Sequence, residues 1–581
     1  MKQTMMGWNS YLSMVLAVLL TISAIVDGQQ LTSNNEVKVL SDKQEVQQSN
    51  SVSFYKFEYI GRDDNDLPLK TGYYRNPIIA GFHPDPSVCR VGDDYYLINS
   101  TFEYFPGLPI FHSTDMVNWK QIGNVIHRPE QLDYKGHRIS NGLFAPAISY
   151  HDGMFYVACT MVDGFGNFVV TAENPAGPWS NPVSVNFQGI DPSIFFDDDG
   201  RAWIVNNDSP DGPPQYSGHR SIWIQQFDYK AMMMIGPRTM IVNGGVDFSQ
   251  KPIWIEGPHI YKRNGWYYLC CAEGGTSTGH TQVILRSKAV EGPYTPWENN
   301  PILSQRDLNA DVPGAVTCTG HADMVIGPDG NWWAVFLAVR PYDGRYSAMG
   351  RETFMLPVTW TEDGWPAILE HGRRVPLEVE SPLGAEVKYD STSLSGSFTW
   401  VDDFNNNDLS FEWIMLREPQ KRWWNIDPLV GKMEFTPQAE KLYGTGNPSF
   451  MGHRVRNNNY IASLNLDVPQ KEGISAGLAL LMTEKYYYFL AVKRNSDDMT
   501  VYVESANGGQ VSCMVSNDLP VADKIDLRIE TNKANSIFQL RTDGGEWKSL
   551  ADSVDAKIIS FSIQGGLFLG ATVGPYARID D

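Results

Sequence analysis

Residues 85–97 read DPSVCRVGDDYYL, and the same pattern returns at 145–157 (APAISYHDGMFYV), 191–204 (DPSIFFDDDGRAWI), 257–269 (GPHIYKRNGWYYL) and 321–335 (HADMVIGPDGNWWAV). Each copy begins on a small or polar residue, runs as an alternating strand, turns at Gly or Asp, and returns as an aromatic-rich strand. That is a β-hairpin written five times. The starts lie 46 to 66 residues apart, room for a four-stranded sheet with its loops. A second signature fits the outer turn of the same unit: STDMVNW ending at Trp119, AENPAGPW ending at Trp179 and SKAVEGPY ending at Tyr294. Such sheets cannot each bury two faces alone, so radial stacking follows, and the repeats predict a five-bladed β-propeller over residues 73–380.

Outward from the repeats the character of the chain changes. After Val375 the hairpin signal fades, and SPLGAEVKYDSTSLSGS from Ser381 reads as a linker over 381–399. From Trp400 short alternating stretches such as YYYFLAVKR and KIDLRIETN, with turns such as NGG and DGG, predict a jelly-roll or concanavalin-like β-sandwich over 400–581. The expected fold class is therefore all-β, a propeller followed by a sandwich. On the other side, residues 29–72 begin with a polar run containing QEVQQSNS and read as a flexible spacer. Residues 1–28 read as a signal peptide, with Lys2 ahead of an apolar run from Leu12 to Val26 and small residues Ser23 and Gly28 around a cleavage point. The run is short for a membrane span and no second one follows, so an exported protein, periplasmic or secreted and without membrane insertion, is expected.

Composition narrows the partners. The chain has 581 residues, too many for one hydrophobic core, and a formal net charge of −21 that argues against a nucleic-acid partner, which needs clustered Lys and Arg. Aromatic residues make up 12%, more than core packing requires, and aromatic faces stack on sugar rings. Six cysteines without a C-x-x-C pair argue against a disulfide scaffold or a thiolate metal site, and Cys270 and Cys271, adjacent on one strand, should face opposite ways. Buried free thiols are the expected state.

In a propeller the innermost strand of each blade starts near the central axis. The five starts here are Asp85, Ala145, Asp191, Gly257 and His321, with Glu256 one place before the fourth. Asp85, Asp191 and Glu256 thus bring three carboxylates into one narrow well. Nothing in folding asks for that, and close like charges raise at least one pKa, which keeps an acid protonated beside an ionised base. A lone Asp-Pro is a common turn former, yet the same DPS recurs at two equivalent positions, in FHPDPSV and GIDPSI. The apolar neighbours of Glu256 in WIEGPHI make it costly to bury without a task. His321 reads equally well as a neutral core histidine or as a site residue.

Together, NPIIAGFHPDPSVCRVGDDYYLINSTFEYFPGLPIFHSTDMVNW from Asn76, GIDPSIFFDDDG, WIEGPHIYKRNGWYYL and GRETF resemble glycoside hydrolase family 43. Within that family the resemblance is to two-domain β-xylosidases and α-L-arabinofuranosidases, and it runs from Asn76 to Asp581, including the WVDDF opening of the sandwich. It implies an inverting, exo-acting enzyme on plant cell-wall oligosaccharide or polysaccharide. Asp85 then matches the general base, Glu256 the general acid, and Asp191 the third carboxylate that holds the acid and tunes its pKa. Phe102 in STFEYFPG, His321 in TGHAD and Arg351 in GRETF match residues that line the substrate pocket. Many relatives have Trp-Ala-Pro where this chain has Phe144-Ala145-Pro146, so Phe144 offers a smaller stacking surface. No cofactor or metal is required for bond cleavage, although relatives sometimes hold a structural calcium near the axis.

Phe144 tilts the expectation toward release of α-L-arabinofuranosyl units, with β-D-xylosidase activity as the alternative. A non-catalytic carbohydrate-binding protein and an interaction scaffold are the competing classes, and the intact set of carboxylates opposes both. Oligomeric state is not legible in the chain.

Overall fold

The repeats fold as five antiparallel sheets of at least four strands each, and the expected hairpin forms the inner pair of strands in every one. Blade 1 comprises Ser87–Val91, Asp94–Ile98, Gly107–Ser113 and Lys120–Ile126. Blade 2 comprises Gly142–His151, Met154–Val162, Gly166–Ala172 and Val183–Ser184. Blade 3 comprises Ile190–Phe196, Ala202–Asp208, Ser221–Asp228 and Met233–Asn243. Blade 4 comprises Glu256–Arg263, Trp266–Glu273, Thr281–Ser287 and Thr295–Pro296, with Leu303–Ser304 added. Blade 5 comprises Thr317–Ile326, Trp332–Val339, Glu352–Trp360 and Pro366–Ala367. This computed structural model describes residues 50–66, 68–387, 394–563 and 568–581. The expected signal peptide at 1–28, the first part of the expected spacer and residues 388–393 of the expected linker lie outside the described residues.

The core lies between the blades. Tyr156 and Val169 of blade 2 pack on Ile194, Ile204 and Phe227 of blade 3. Trp203 and Val205 of blade 3 pack on Leu269, Cys271 and Val283 of blade 4. Tyr268 and Cys270 of blade 4 join Phe336 and Leu356 of blade 5 and Leu97 and Phe111 of blade 1. Cys270 and Cys271 therefore enter different interfaces, as strand alternation demands. All six cysteines are free, five of them buried, while Cys513 is exposed. The serines of the two DPS motifs stitch neighbouring blades. Ser87 donates to Asp323 of blade 5 at 2.7 Å, and Ser193 donates to the carbonyl of Pro258 in blade 4 at 2.6 Å.

The backbone repeats as faithfully as the sequence. Asp85, Ala145, Asp191, Gly257 and His321 all have positive φ, at 52°, 35°, 55°, 55° and 50°. In blades 2 to 5 the strand register slips across that position, between Phe144 and Ala147, Ile190 and Ser193, Glu256 and His259, and Gly320 and Asp323. Each is a β-bulge in the inner strand, the device that re-aims a side chain next to a site.

The sandwich corrects the expectation for the spacer. Val52–Arg62 is an eleven-residue strand inside one sandwich sheet, paired with Lys432–Phe435, Asn459–Asp467 and Phe398–Asp402. Its register shifts between Phe54 and Lys56, so Phe54, Phe57 and Tyr59 are all buried. That bulge breaks the period-two pattern that marks a strand, and its partners lie far along the chain. The second sheet continues into the propeller, because Tyr104–Phe105 from blade 1's loop pairs with Trp413–Leu416 at its edge. A further link pairs Tyr346–Ser347 with Phe561–Ser562. At the expected 73–380 boundaries, Tyr73–Arg75 pairs with Glu378–Glu380 and ties the two ends of the propeller together.

The bulge at Ala145 yields a test. A β-branched residue tolerates positive φ poorly, so Ala145→Val should lower unfolding free energy by about 2 kcal/mol, whereas Ala145→Gly should stay within about 1 kcal/mol of the parent. Denaturant melts of the two variants measure this, and equal effects would remove the strain argument.

Candidate active site

The bulges lay out the site. The bulge of blade 3 turns Asp191 toward the axis, and in blade 1, which has no bulge, the positive φ of Asp85 just ahead of the strand does the same. In blade 4 the bulged residue is Gly257, where a Cβ would come within 2.7 Å of His321 Nε2. A side chain cannot fit there, so the carboxylate sits one residue earlier, on the longer Glu256. Asp85, Asp191, Glu256, His321, Arg351, Phe102 and Phe144 all line one cavity of about 460 Å³. Every residue singled out from the sequence is thus brought to the same place.

The three carboxylates meet different surroundings. Asp85 is buried; Arg351 Nη1 donates to its Oδ1 at 2.9 Å and Ser100 Oγ donates to its Oδ2 at 2.6 Å. Ser100 Oγ is itself fixed by accepting the Ala145 amide at 2.7 Å. Burial pushes the Asp85 carboxyl up, but the Arg351 guanidinium, then His321 and the Ser100 hydroxyl, bring it below the ordinary carboxylate range. Asp191 Oδ2 accepts from Asn207 Nδ2 at 2.9 Å and from the Gly257 amide at 3.2 Å, the peptide N–H next to Glu256. Burial, followed by repulsion from Asp85, raises Asp191. Glu256 is raised well above the ordinary value, first by burial and then by repulsion from Asp191 and Asp85. Asp191 has two donors that favour its charged form, so Glu256 is the member of this pair that keeps the proton.

The histidines stay neutral. His321 Nδ1 lies 3.6 Å from Asp85 Oδ1, and burial lowers its pKa to about 4. His280 places Nε2 at 3.8 Å from Glu256 Oε1 while Nδ1 lies 3.2 Å from the Cys318 carbonyl, and burial lowers its pKa to about 3. Among the described residues no group of three or more His, Cys, Asp or Glu side chains is placed to hold a metal ion.

Aromatic rings close one end of the cavity. Phe144 stands edge-on to Phe102 at 5.2 Å and to Phe568 at 5.6 Å, while Phe102 and Phe568 lie nearly parallel at 6.1 Å. Phe568 comes from the sandwich, and its carbonyl accepts from Arg351 Nε at 2.8 Å. Arg351 is thus shared between Asp85 and the second domain. Sequence reading missed Phe568, Ser100, Asn207 and His280. Phe568 lies more than 200 residues beyond GRETF, in a segment with no repeat to place it, whereas Asn207 follows DPSIFFDDDGRAWI on the returning strand of the blade 3 hairpin and offered a weak signal there.

The profile for glycosyl hydrolases family 43 matches residues 74–366, and that for the beta-xylosidase C-terminal concanavalin A-like domain matches residues 401–580. The chain is 38% identical to a xylosidase/arabinosidase of Butyrivibrio fibrisolvens over 86% of its own length and 95% of that relative. It is 36% identical to a non-reducing end alpha-L-arabinofuranosidase of Bacteroides ovatus, covering 88% of this chain and 92% of the relative. The crystal structure of a GH43_12 protein from a capybara gut metagenome superposes with a TM-score of 0.85 at 37% identity, covering 90% of this chain and 99% of that one. Fold, site and likeness define a glycoside hydrolase. The chain belongs to glycosyl hydrolase family 43, in its two-domain xylosidase/arabinofuranosidase form.

Because Phe568 faces both Arg351 and Phe102, Phe568→Ala should raise KM for an aryl pentoside by roughly three- to tenfold with an unchanged thermal midpoint. Steady-state kinetics and a thermal melt check this together, and an unaltered KM would take Phe568 out of the pocket wall.

Proposed function

We propose that the protein is an exported, inverting, exo-acting glycosidase that releases α-L-arabinofuranosyl units from the non-reducing ends of xylan-type hemicellulose. The observation that carries this reading is the unequal treatment of three carboxylates in one cavity: Arg351 and Ser100 hold Asp85 charged, while at Glu256 burial and the repulsion of Asp191 and Asp85 outweigh the pull of Arg351 and Arg220, so it keeps its proton. Asp85 draws a proton from water, and that water attacks the anomeric carbon. Glu256 protonates the departing glycosidic oxygen. Asp191, by accepting the Gly257 amide, fixes the backbone of the acid and, by its charge, raises the acid's pKa. The proton given by Glu256 leaves on the new hydroxyl of the departing sugar; the site resets when Asp85 releases its proton to solvent and Glu256 takes one up, with no net change. A small pocket with buried deep walls supports cleavage at a chain end rather than within a chain.

A second reading, β-D-xyloside as the preferred substrate, is supported equally by the relatives, among them a beta-xylosidase of Bacillus subtilis at 30% identity. Matched aryl α-L-arabinofuranoside and β-D-xyloside decide between them. A higher kcat/KM on the arabinoside supports the first reading, and the reverse order installs the second.

Three further outcomes follow from the roles. Glu256→Gln should cost about 10²–10⁴-fold on substrates with poor leaving groups and much less on an aryl glycoside of an acidic phenol. Equal losses on both would remove Glu256 as the acid. The pH profile of kcat/KM should be bell-shaped, its acid limb set by protonation of Asp85 and its alkaline limb by proton loss from Glu256. Since Arg351 holds Asp85 down, Arg351→Met should move the acid limb to higher pH, and a stationary limb would contradict the base assignment. Proton NMR of the first sugar released should show inverted anomeric configuration, as a water between base and anomeric carbon requires.

A further inference from the structure

The walls of the cavity differ in depth. Asp85, Phe102 and Arg351 are 5%, 1% and 3% exposed, whereas Ile253 and Trp254 of the same cavity are 48% and 37% exposed. The buried set is the deep end, which takes the sugar that is released. Ile253 and Trp254 are the mouth, three and two residues before Glu256, on the entry to the strand that carries the acid. The unit beyond the broken bond leaves through that mouth.

Trp254 is built into place. Its φ of 51° is a left-handed conformation that a bulky aromatic residue rarely adopts, and such strain persists only where the surroundings impose it. Its amide donates to the Gly218 carbonyl at 2.9 Å, and the Gly274 amide donates to the Ile253 carbonyl at 2.8 Å, so the pair is pinned from both sides. The Arg220 guanidinium lies 4.7 Å from the indole centroid and covers one face of the ring. Arg220 Nε in turn donates to Asn207 Oδ1 at 3.1 Å, and Asn207 donates to Asp191. The plate and the carboxylates therefore belong to one hydrogen-bonded frame. A core tryptophan would be covered on both faces; this one is held rigid and leaves surface to the cavity and to solvent.

We infer that Trp254, with Ile253 beside it, is the platform on which the leaving-group sugar stacks, and that its ligand is a pyranosyl unit of the polysaccharide chain. The flat indole matches the C–H face of a six-membered ring, and the hydroxyls of Thr276 and Ser277, which line the same mouth, suit its hydroxyl groups. A pentose on a deep apolar floor and a pyranose on an outer plate make the enzyme select the linkage as well as the sugar. The inference deepens the hydrolase reading and rests on it.

The test compares two substrates carrying the pentose that the parent enzyme releases: an oligosaccharide with a pyranosyl leaving group, and the corresponding glycosyl fluoride, whose leaving group cannot stack. For Trp254→Ala the ratio of kcat/KM, oligosaccharide over fluoride, should fall about five- to tenfold, and Trp254→Phe should restore most of it. Trp254→Leu, which keeps bulk without a flat face, serves if the alanine variant does not fold, and should show the same fall. An unchanged ratio, whatever happens to the absolute rates, would overturn the platform and leave Trp254 as a wall that positions Glu256. A parent enzyme that cleaves neither substrate would instead overturn the hydrolase reading beneath it.

Discussion

A left-handed kink at the head of each inner strand is the constraint on which the site depends. Asp85, Ala145, Asp191, Gly257 and His321 adopt it, although only one of them is glycine and the conformation costs other residues of order 1–3 kcal/mol. Without the kink, alternation would send these side chains into the interfaces between blades, where a carboxylate has no partner. With it, they leave the sheet and meet on the axis. The cost is borne because the surrounding blades hold the strands on both sides, through the apolar clusters and the Ser87–Asp323 and Ser193–Pro258 hydrogen bonds.

Convergence alone would give three equivalent acids. Their difference arises from what each blade and the sandwich add around them. Arg351 lies beside Asp85 and is held in that place by the Phe568 carbonyl, so the second domain helps set the charge state of a carboxylate on the first. Asp191 sits between the other two, spending its hydrogen-bonding capacity on Asn207 and on the peptide that follows Glu256. Gly257 is the one blade start where His321 leaves no room for a side chain, and the acid is displaced to the residue before it.

The sequence made the propeller and its carboxylates legible because both are written in repeats. A motif such as DPS occurring twice at equivalent places says which residues share an environment before any coordinates exist. What stayed illegible depends on non-repeating contacts. Phe568 reaches the cavity from a loop of the sandwich whose path no local pattern encodes. Val52–Arg62 hid because a single bulge at Phe54–Lys56 shifts its buried positions out of alternation. Trp254 stood in plain view in WIEGPHI, but neither its exposure nor its kinked backbone can be inferred from residue identity.

That displaced first strand bears on how the molecule is made and how it can be divided. Val52–Arg62 leaves the ribosome before any propeller blade, yet its neighbours at 432–435, 459–467 and 398–402 are synthesised after the last one. The strand must wait, apolar side chains and all, while five blades emerge. A gene fragment beginning at residue 400 would lack an interior strand of its sheet, so the sandwich is not a cassette that recombination can lift out and attach elsewhere. Propeller and sandwich are inherited as one piece, with the sandwich clasping the propeller's chain from both ends.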